Sequence, residues 1–534
     1  MSEQIKRIFY CILIFFMGLF IISSFFFRAE FNYYRYGDNP ILHRQKLWTF
    51  ILISVLLLII SIVLYYVFSH LNKLSGKLVI PIILMVSFVV QYWIVVCFPV
   101  LPTADSKKLL LIASEILDKA DYSSFQKGGY LFKFPHNFSM VLYFNALLST
   151  FHGKYFVIKI FNILFTLATT LLTYLIYKEF SVNKKQFTRE DAQNPHRGEN
   201  SNEYGVLIFA ATFIPALFMC NYMYNDVIAT TFFTGMLYFM IRFIKDRRMM
   251  KLVIASLLLS IGNYLRNIGT IFLIAAIIYL LLNSKKLGIK KITASTLILL
   301  FLFVIPGWTQ NAALQASHKV EASIYQNSAP VYLWLNMGID TKRLGFFDHK
   351  KSYKIYEKNA KYDKERSKEL FKEEIRRKFR EASFEDMVGM YYKKIIWTWT
   401  EGTYQIDRYG LGVNPDSVKA KNVSIMGGYD YQTSATELFN RNNHYRGMLL
   451  WGLYGINFLI YCFIAVRLCY CIRYKRFEEV LLILVLLGFI GFYILWEIKS
   501  RYIYPVYPIL IILSYQGYTN AFNYIKNRNK RQVT

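Results

Sequence analysis

Acidic residues are scarce in this chain: 34 Asp and Glu stand against 63 Lys and Arg, for a formal net charge of +29. In a soluble protein such an excess would raise nucleic acid as a partner. Here much of it sits in short loops between apolar blocks, the positive-inside pattern of membrane proteins, and no nucleic-acid partner is expected. Cysteine is equally sparse. Cys11, Cys97, Cys220, Cys462, Cys469 and Cys471 all lie in or beside apolar blocks with no paired metal-ligand spacing. That excludes a disulfide framework and a zinc site as readings of the sequence. No motif of closely spaced His and carboxylates occurs, so no divalent metal and no cofactor is expected. No internal repeat is evident.

What the chain has in abundance is apolar and aromatic side chains, 55% and 18% of its 534 residues. A soluble core would have to hide more apolar surface than cores normally hold, whereas lipid solvent removes the difficulty. The apolar residues gather in blocks of roughly 17–25, enough to cross about 30 Å of hydrocarbon at 1.5 Å per residue. These blocks predict an all-α polytopic membrane protein of about twelve transmembrane helices. They fall at 8–27, 47–69, 78–98, 154–178, 204–220, 225–244, 251–266, 268–284, 291–308, 448–467, 478–495 and 501–519. The first follows Lys6 and Arg7, is long for a signal peptide and lacks a small-x-small cleavage site, which reads as a retained signal anchor. The apolar stretch from Asn137 to Phe151 is short for a span and reads as interfacial.

With that stretch not crossing, the basic loops His70–Lys77, Lys178–Glu203, Lys245–Lys251, Lys285–Lys291 and Arg473–Glu479 all fall inside, as does the tail with Lys526, Arg528, Lys530 and Arg531. The expected location is the cell membrane with both termini cytoplasmic. The chain then divides into an N-terminal membrane module (1–308) carrying an outer loop (99–136), an extracytoplasmic α-rich domain (309–447) before the last three helices, and a C-terminal module (448–534). Within the outer domain, Phe371, Ile375 and Phe379 at four-residue spacing predict an apolar stripe on a charged helix. Ser383 and Asp386 predict a capped helix over Met387 to Trp399, stopped at Gly402. The stretch from Tyr404 to Tyr445 reads as loop with short elements, and Ser181 to Ser201 as a flexible connector. Asn137-Phe138-Ser139 and Asn422-Val423-Ser424 match the glycosylation sequon, a pattern short enough to arise by chance.

Candidate chemistry lies at the outer ends of the spans. Asp105, in Pro102-Thr103-Ala104-Asp105-Ser106, reads either as a catalytic carboxylate or as a helix N-cap. Arg266 sits between two apolar runs with almost no loop, where an unpaired charge is expensive; it reads as a phosphate ligand or as the partner of Asp226. Lys499 and Arg501 also run against the inward bias of positive charge. They are candidates for phosphate binding, although Lys499 taken alone reads more readily as a snorkelling side chain.

Several strings carry a resemblance: Asp105, Phe132 to Asn137, Phe151-His152-Gly153, Tyr224-Asn225-Asp226, Tyr264-Leu265-Arg266-Asn267 and Trp496-Glu497-Ile498-Lys499-Ser500-Arg501-Tyr502. Together they resemble the bacterial GT-C glycosyltransferases, the clan of protein O-mannosyltransferases and aminoarabinose transferases. Trp334-Leu335-Asn336-Met337-Gly338 and Lys393-Lys394-Ile395-Ile396-Trp397 look like elements of Gram-positive members. Two extra spans before Asp105 depart from the simplest layout of that clan. The resemblance implies a GT-C-like fold and transfer of a sugar from a polyprenyl-phosphate carrier to a cell-envelope acceptor, whether glycan, teichoic acid or protein. It implies Asp105 as base, Arg266, Lys499 and Arg501 at the carrier phosphate, Tyr502 along the lipid path, and His136 and Asp226 at the substrate site, with Asp121 and Glu497 as secondary acids. One base is chemically sufficient, because a lipid phosphate leaves as a stable anion and needs no general acid. A flippase or transporter for a lipid-linked sugar and a polysaccharide polymerase are the competing readings. Against the former stands the lack of clear inverted repeats or broken helices.

Overall fold

A computed structural model describes residues 2–30, 40–181, 203–348, 350–412, 431–440 and 443–533. The connector read over Ser181 to Ser201, the sequon at Asn422 and much of Tyr404 to Tyr445 lie largely or wholly outside the described residues.

The protein is an all-α, multi-spanning membrane protein with a helical region between its last and earlier spans. Seven helices among the described residues, and not about twelve, are long and apolar enough to cross a bilayer: Glu3–Phe26, Leu47–Leu71, Gly76–Cys97, Phe156–Ser181, Asn225–Asp246, Ile289–Ala316 and His444–Arg473. The remaining blocks fall short for identifiable reasons. Met249–Leu265, Gly269–Leu282 and Val480–Leu495 are apolar but of 17, 14 and 16 residues. The 204–220 block breaks at Thr212 into Gly205–Ala211 and Ile214–Met219, Pro215 standing in the first turn of the second piece. The 501–519 block begins as a 3-10 turn, Ser500–Val506, before the Tyr507–Val533 helix. Hydropathy counts apolar residues but is blind to such breaks. The stretch read as interfacial forms the 13-residue helix Phe138–Thr150.

The Asn225–Asp246 helix lies at the centre, with 78% of its apolar window buried; Leu47–Leu71 lies at the edge, with 11%. The central helix packs against Phe156–Ser181 and Met249–Leu265. In hydrocarbon no water satisfies a hydroxyl, so the buried threonines bond back to their own helix. Thr166 donates to the Asn162 carbonyl at 2.9 Å and Thr230 to that of Asp226 at 2.6 Å. Thr169 and Thr231 meet across the interface at 2.8 Å. His444–Arg473 lies against Tyr507–Val533, where Gly517 is required: a Cβ there would fall 1.7 Å from the Phe463 carbonyl oxygen.

Outside the spans, Phe27–Glu30 and Ile41–Arg44 form an antiparallel hairpin that the sequence reading did not contain. It is held by Trp397, whose indole N–H donates to the Glu30 carbonyl at 2.9 Å. Ser383 caps the helix Phe384–Thr400 by accepting from the Asp386 N–H at 3.0 Å, and Gly402 follows its end at φ +70°. The charged helix runs over Lys364–Glu381, capped by Asp363. Phe371 is fully buried and Ile375 packs beside Met387 and Met390, but Phe379 is 48% exposed, so the apolar stripe is two residues long and not three. Trp397, Trp399, Tyr404 and Tyr409 share the core of the membrane helices, which fixes this region onto one end of the bundle.

Candidate functional site

Asp226 opens the central helix and is fully buried. A buried carboxylate needs a cation, and here two guanidiniums supply it. Arg501 Nη1 lies 2.8 Å from Oδ2, and Arg266 Nη1 pairs with Oδ1. Asn225 ties the helix start to the strand of chain before Arg266, its amide donating to the Leu265 carbonyl at 3.0 Å. The Arg266–Asp226 pairing weighed from sequence therefore exists, extended by Arg501 from a segment 275 positions away. Two cations on one anion leave this cluster net positive.

Four tyrosine rings enclose Arg501. Its guanidinium carbon lies 5.2 Å from the Tyr222 centroid, 5.3 Å from Tyr224, 5.1 Å from Tyr409 and 5.3 Å from Tyr502. Such faces stabilise a desolvated cation without neutralising it. Burial would raise the Tyr409 phenol, yet Arg501, Arg408 and Lys499 hold it below its ordinary value, a mark of the positive field here. Lys499 does not extend to solvent as a snorkelling residue would. Its ammonium sits 4.7 Å over Phe347, 5.4 Å over Tyr502 and 4.0 Å from Glu497, which also accepts from the Tyr502 hydroxyl at 2.5 Å.

Asp105 stands in the first turn of Ala104–Lys119, partly exposed. The N-cap position belongs to Thr103: the Ser106 hydroxyl accepts from the Thr103 N–H at 3.1 Å and donates to its carbonyl at 2.9 Å. Asp105 is thus not spent on capping, and it follows a left-handed residue, Ala104, at φ +49°. Its negative charge acts on the phenols of Tyr130, Tyr222, Tyr224 and Tyr409 and on the His136 imidazole. Three of these rings also enclose Arg501. The fold therefore brings the field of Asp105 and the guanidinium of Arg501 to one tyrosine cluster although the two are 396 positions apart in sequence. Burial lowers the His136 imidazole to about 4 against the opposing pull of Asp105, so this ring is neutral at ordinary pH. Its ring lies 6.3 Å from that of Trp334.

Asp121 lies apart from this constellation, accepting from the Ser123 N–H at 2.7 Å in a turn. Three strings quoted from sequence do meet: Trp334 stacks on Trp496 at 5.8 Å, and Lys394 donates to the Gly338 carbonyl at 2.6 Å. Burial lowers Lys394 to about 7, Glu497 opposing. Sequence reasoning missed Lys159. This buried lysine, within the Phe156–Ser181 helix, donates to the Val100 carbonyl at 2.8 Å and the Asn221 side chain at 3.1 Å; Asn221 in turn donates to the Gly410 carbonyl at 3.0 Å. It thereby ties the approach to Asp105 to the segments bearing Tyr222 and Tyr409. The signal was present: a lysine inside an apolar run is as costly as Arg266. Among the described residues no three His, Cys, Asp or Glu side chains cluster as metal ligands would.

The fold and this cluster define a polytopic helical membrane protein with a desolvated cationic site beside a partly exposed carboxylate. Residues 199–309, which include Tyr224, Asp226 and Arg266, match the family described as dolichyl-phosphate-mannose-protein mannosyltransferase. Over that part of its length the chain thus carries a GT-C-like polyprenyl-phosphate sugar transferase domain. Neither the curated proteins nor the solved structures yielded a match. Asp105, His136, Lys499, Arg501 and Tyr502 lie outside the matched stretch.

Proposed function

We propose that the protein is an inverting glycosyltransferase that moves one sugar from a polyprenyl-phosphate carrier to a cell-envelope acceptor on the outer face of the membrane. The observation that supports this reading is that Tyr222, Tyr224 and Tyr409, which ring Arg501, also lie within the field of Asp105. The carboxylate of Asp105 takes the proton of the acceptor hydroxyl as its oxygen bonds to the anomeric carbon. The bond from that carbon to the phosphate oxygen breaks on the opposite face, and its electron pair leaves on the carrier phosphate. Arg501, Arg266 and Lys499 hold that phosphate, and Asp226 holds the two arginines in place. Tyr502 borders the prenyl path, neutral His136 lines the substrate site, and the region 309–447 contributes acceptor recognition.

Orientation follows from charge. The turns around Lys73, Arg247, Lys286 and Arg473 lie at the end of the bundle away from Asp226, and the inward bias of basic loops supports reading that end and both termini as cytoplasmic and the site as outside. A cysteine introduced at Tyr362 is then labelled by an impermeant thiol reagent from outside the cell.

The central experiment reconstitutes the full chain with a radiolabelled polyprenyl-phosphate sugar and compares it with Asp105→Asn. The variant retains carrier binding and loses transfer by about 10²–10⁴-fold, the range for removal of a general base. Undiminished transfer removes Asp105 from the mechanism. Movement of the carrier between leaflets without transfer replaces this reading with the flippase.

A further inference from the structure

The opposite end of the bundle holds a cavity of about 230 Å³ that the transfer chemistry does not use. Helix ends from across the sequence build it: the starts of Ser2–Phe26 and Val480–Leu495, the ends of Phe156–Ser181, Asn225–Asp246 and Gly269–Leu282, and the turn at Lys475. It exceeds the space one water needs roughly tenfold. Tyr279 and Asn283 are its buried polar lining, while Phe180, Ile241, Ile244 and Val480 make an apolar wall continuous with the buried core of the bundle.

Four lysines reach the rim: Lys6, Lys245, Lys286 and Lys475. Lys245 is engaged by Glu179 at 3.0 Å. None of the other three is in a salt bridge among the described residues, and Lys6 and Lys286 lie close enough to repel each other. Lys475 is presented by a left-handed residue conformation, φ +52°. Glu479, adjacent in sequence, cannot neutralise them: it is buried, paired with Arg467 and accepts from the Tyr10 hydroxyl at 3.2 Å. Glu3 and Glu478 also stand at the rim and lower the field without closing on a lysine within salt-bridge distance. Three unpaired cations over a polar floor, with an apolar wall on one side, fit an anion whose other end is greasy.

We propose that this pocket binds a phosphate-bearing anion, the head group of an anionic phospholipid or a free phosphate ester, with Lys6, Lys286 and Lys475 as its ligands. Phosphate oxygens accept from the three ammonium groups and from the Asn283 amide, and the first methylenes of an acyl chain lie along Ile241, Ile244 and Val480. This site is independent of the transfer reaction, since it sits at the other end of the helices that carry Asp226 and Arg266.

The test uses the full chain in neutral detergent, probed by native mass spectrometry and thermal melting. The probes are phosphatidylglycerol, phosphatidylcholine and inorganic phosphate. Phosphatidylglycerol should be retained about tenfold better than phosphatidylcholine, as expected where each nearby lysine adds to the attraction of an anionic head group. The combined Lys6→Gln, Lys286→Gln, Lys475→Gln variant should lose that preference, while Lys73→Gln, Lys77→Gln, Lys290→Gln, which removes equal charge from the same end outside the pocket, should keep it. A preference for phosphatidylglycerol with no response to inorganic phosphate assigns the anion to lipid. A melting shift with inorganic phosphate alone assigns it to a soluble ester. Equal loss in both triple variants, or no response to either anion, overturns the proposal.

Discussion

The two ends of the helix bundle use positive charge in opposite ways. At the Asp105 end, Arg266 and Arg501 are buried and share Asp226, and aromatic rings enclose Arg501. At the other end Lys6, Lys286 and Lys475 stand at a pocket rim with no carboxylate in salt-bridge range among the described residues. The difference follows from desolvation. A cation out of water must be paired or it destabilises the fold, whereas Lys286 and Lys475 are exposed and keep their hydration, and Lys6 is only partly desolvated. Arginine suits the first role because its planar group stacks on rings and forks to a carboxylate; lysine suits the second as a mobile, hydrated point charge.

The sharpest way to break this contrast is to remove the shared anion. Asp226→Ala leaves two buried guanidiniums facing each other and should cost roughly 3–5 kcal/mol of stability, read as a large drop in the melting temperature of the detergent-solubilised chain. A melting point within experimental error of the parent would show that the arginines are not held by this pair. Replacing any one rim lysine at the opposite end, by contrast, should change the same melting point by under about 1 kcal/mol.

A smaller effect belongs to Lys159, which touches no reacting group. Lys159→Met keeps the side chain's bulk but unlinks Val100 from Asn221, so Asp105 loses its fixed place against the tyrosines. Transfer should fall on the order of tenfold to a hundredfold in kcat with carrier KM little changed. A fall in KM-dependent binding alone would mean that Lys159 serves the fold and not the alignment of the base.

The mildest expectation concerns acid. The folded state holds His136 near 4, while an unfolded His titrates near about 6.5. Below about 6.5 the unfolded chain therefore binds more protons than the folded one, so stability should decline as pH falls from there toward 4 and level off beneath. His136→Gln should flatten that part of the melting-temperature profile, and an unchanged slope would assign the acid sensitivity to another group.

How much of this was legible beforehand depends on the range of the interaction. Ser383 and Asp386 announced the Phe384–Thr400 helix because a cap is three residues long. Arg266 announced a buried charge, and Asp226, 40 positions earlier, was within reach of inference. Arg501 was marked as out of place, but nothing local shows that its partner is the same aspartate or that Tyr222, Tyr224 and Tyr409 surround it. Phe379 satisfied the apolar spacing and is exposed nonetheless, since spacing names a face and not what covers it. The break at Thr212 and the 3-10 start at Ser500 were hidden inside hydropathic blocks for the same reason.

By composition and block length alone the chain is committed to helices in lipid, because hydrocarbon tolerates no unpaired backbone and the apolar runs match its thickness. Charge placement likewise separates its two ends. Only the tertiary structure decided which cations are held in salt bridges among the described residues, and that the carboxylate at position 105 and the arginine at 501 act on the same tyrosines. Those outcomes depend on packing between segments hundreds of residues apart, for which a linear pattern carries no local signal.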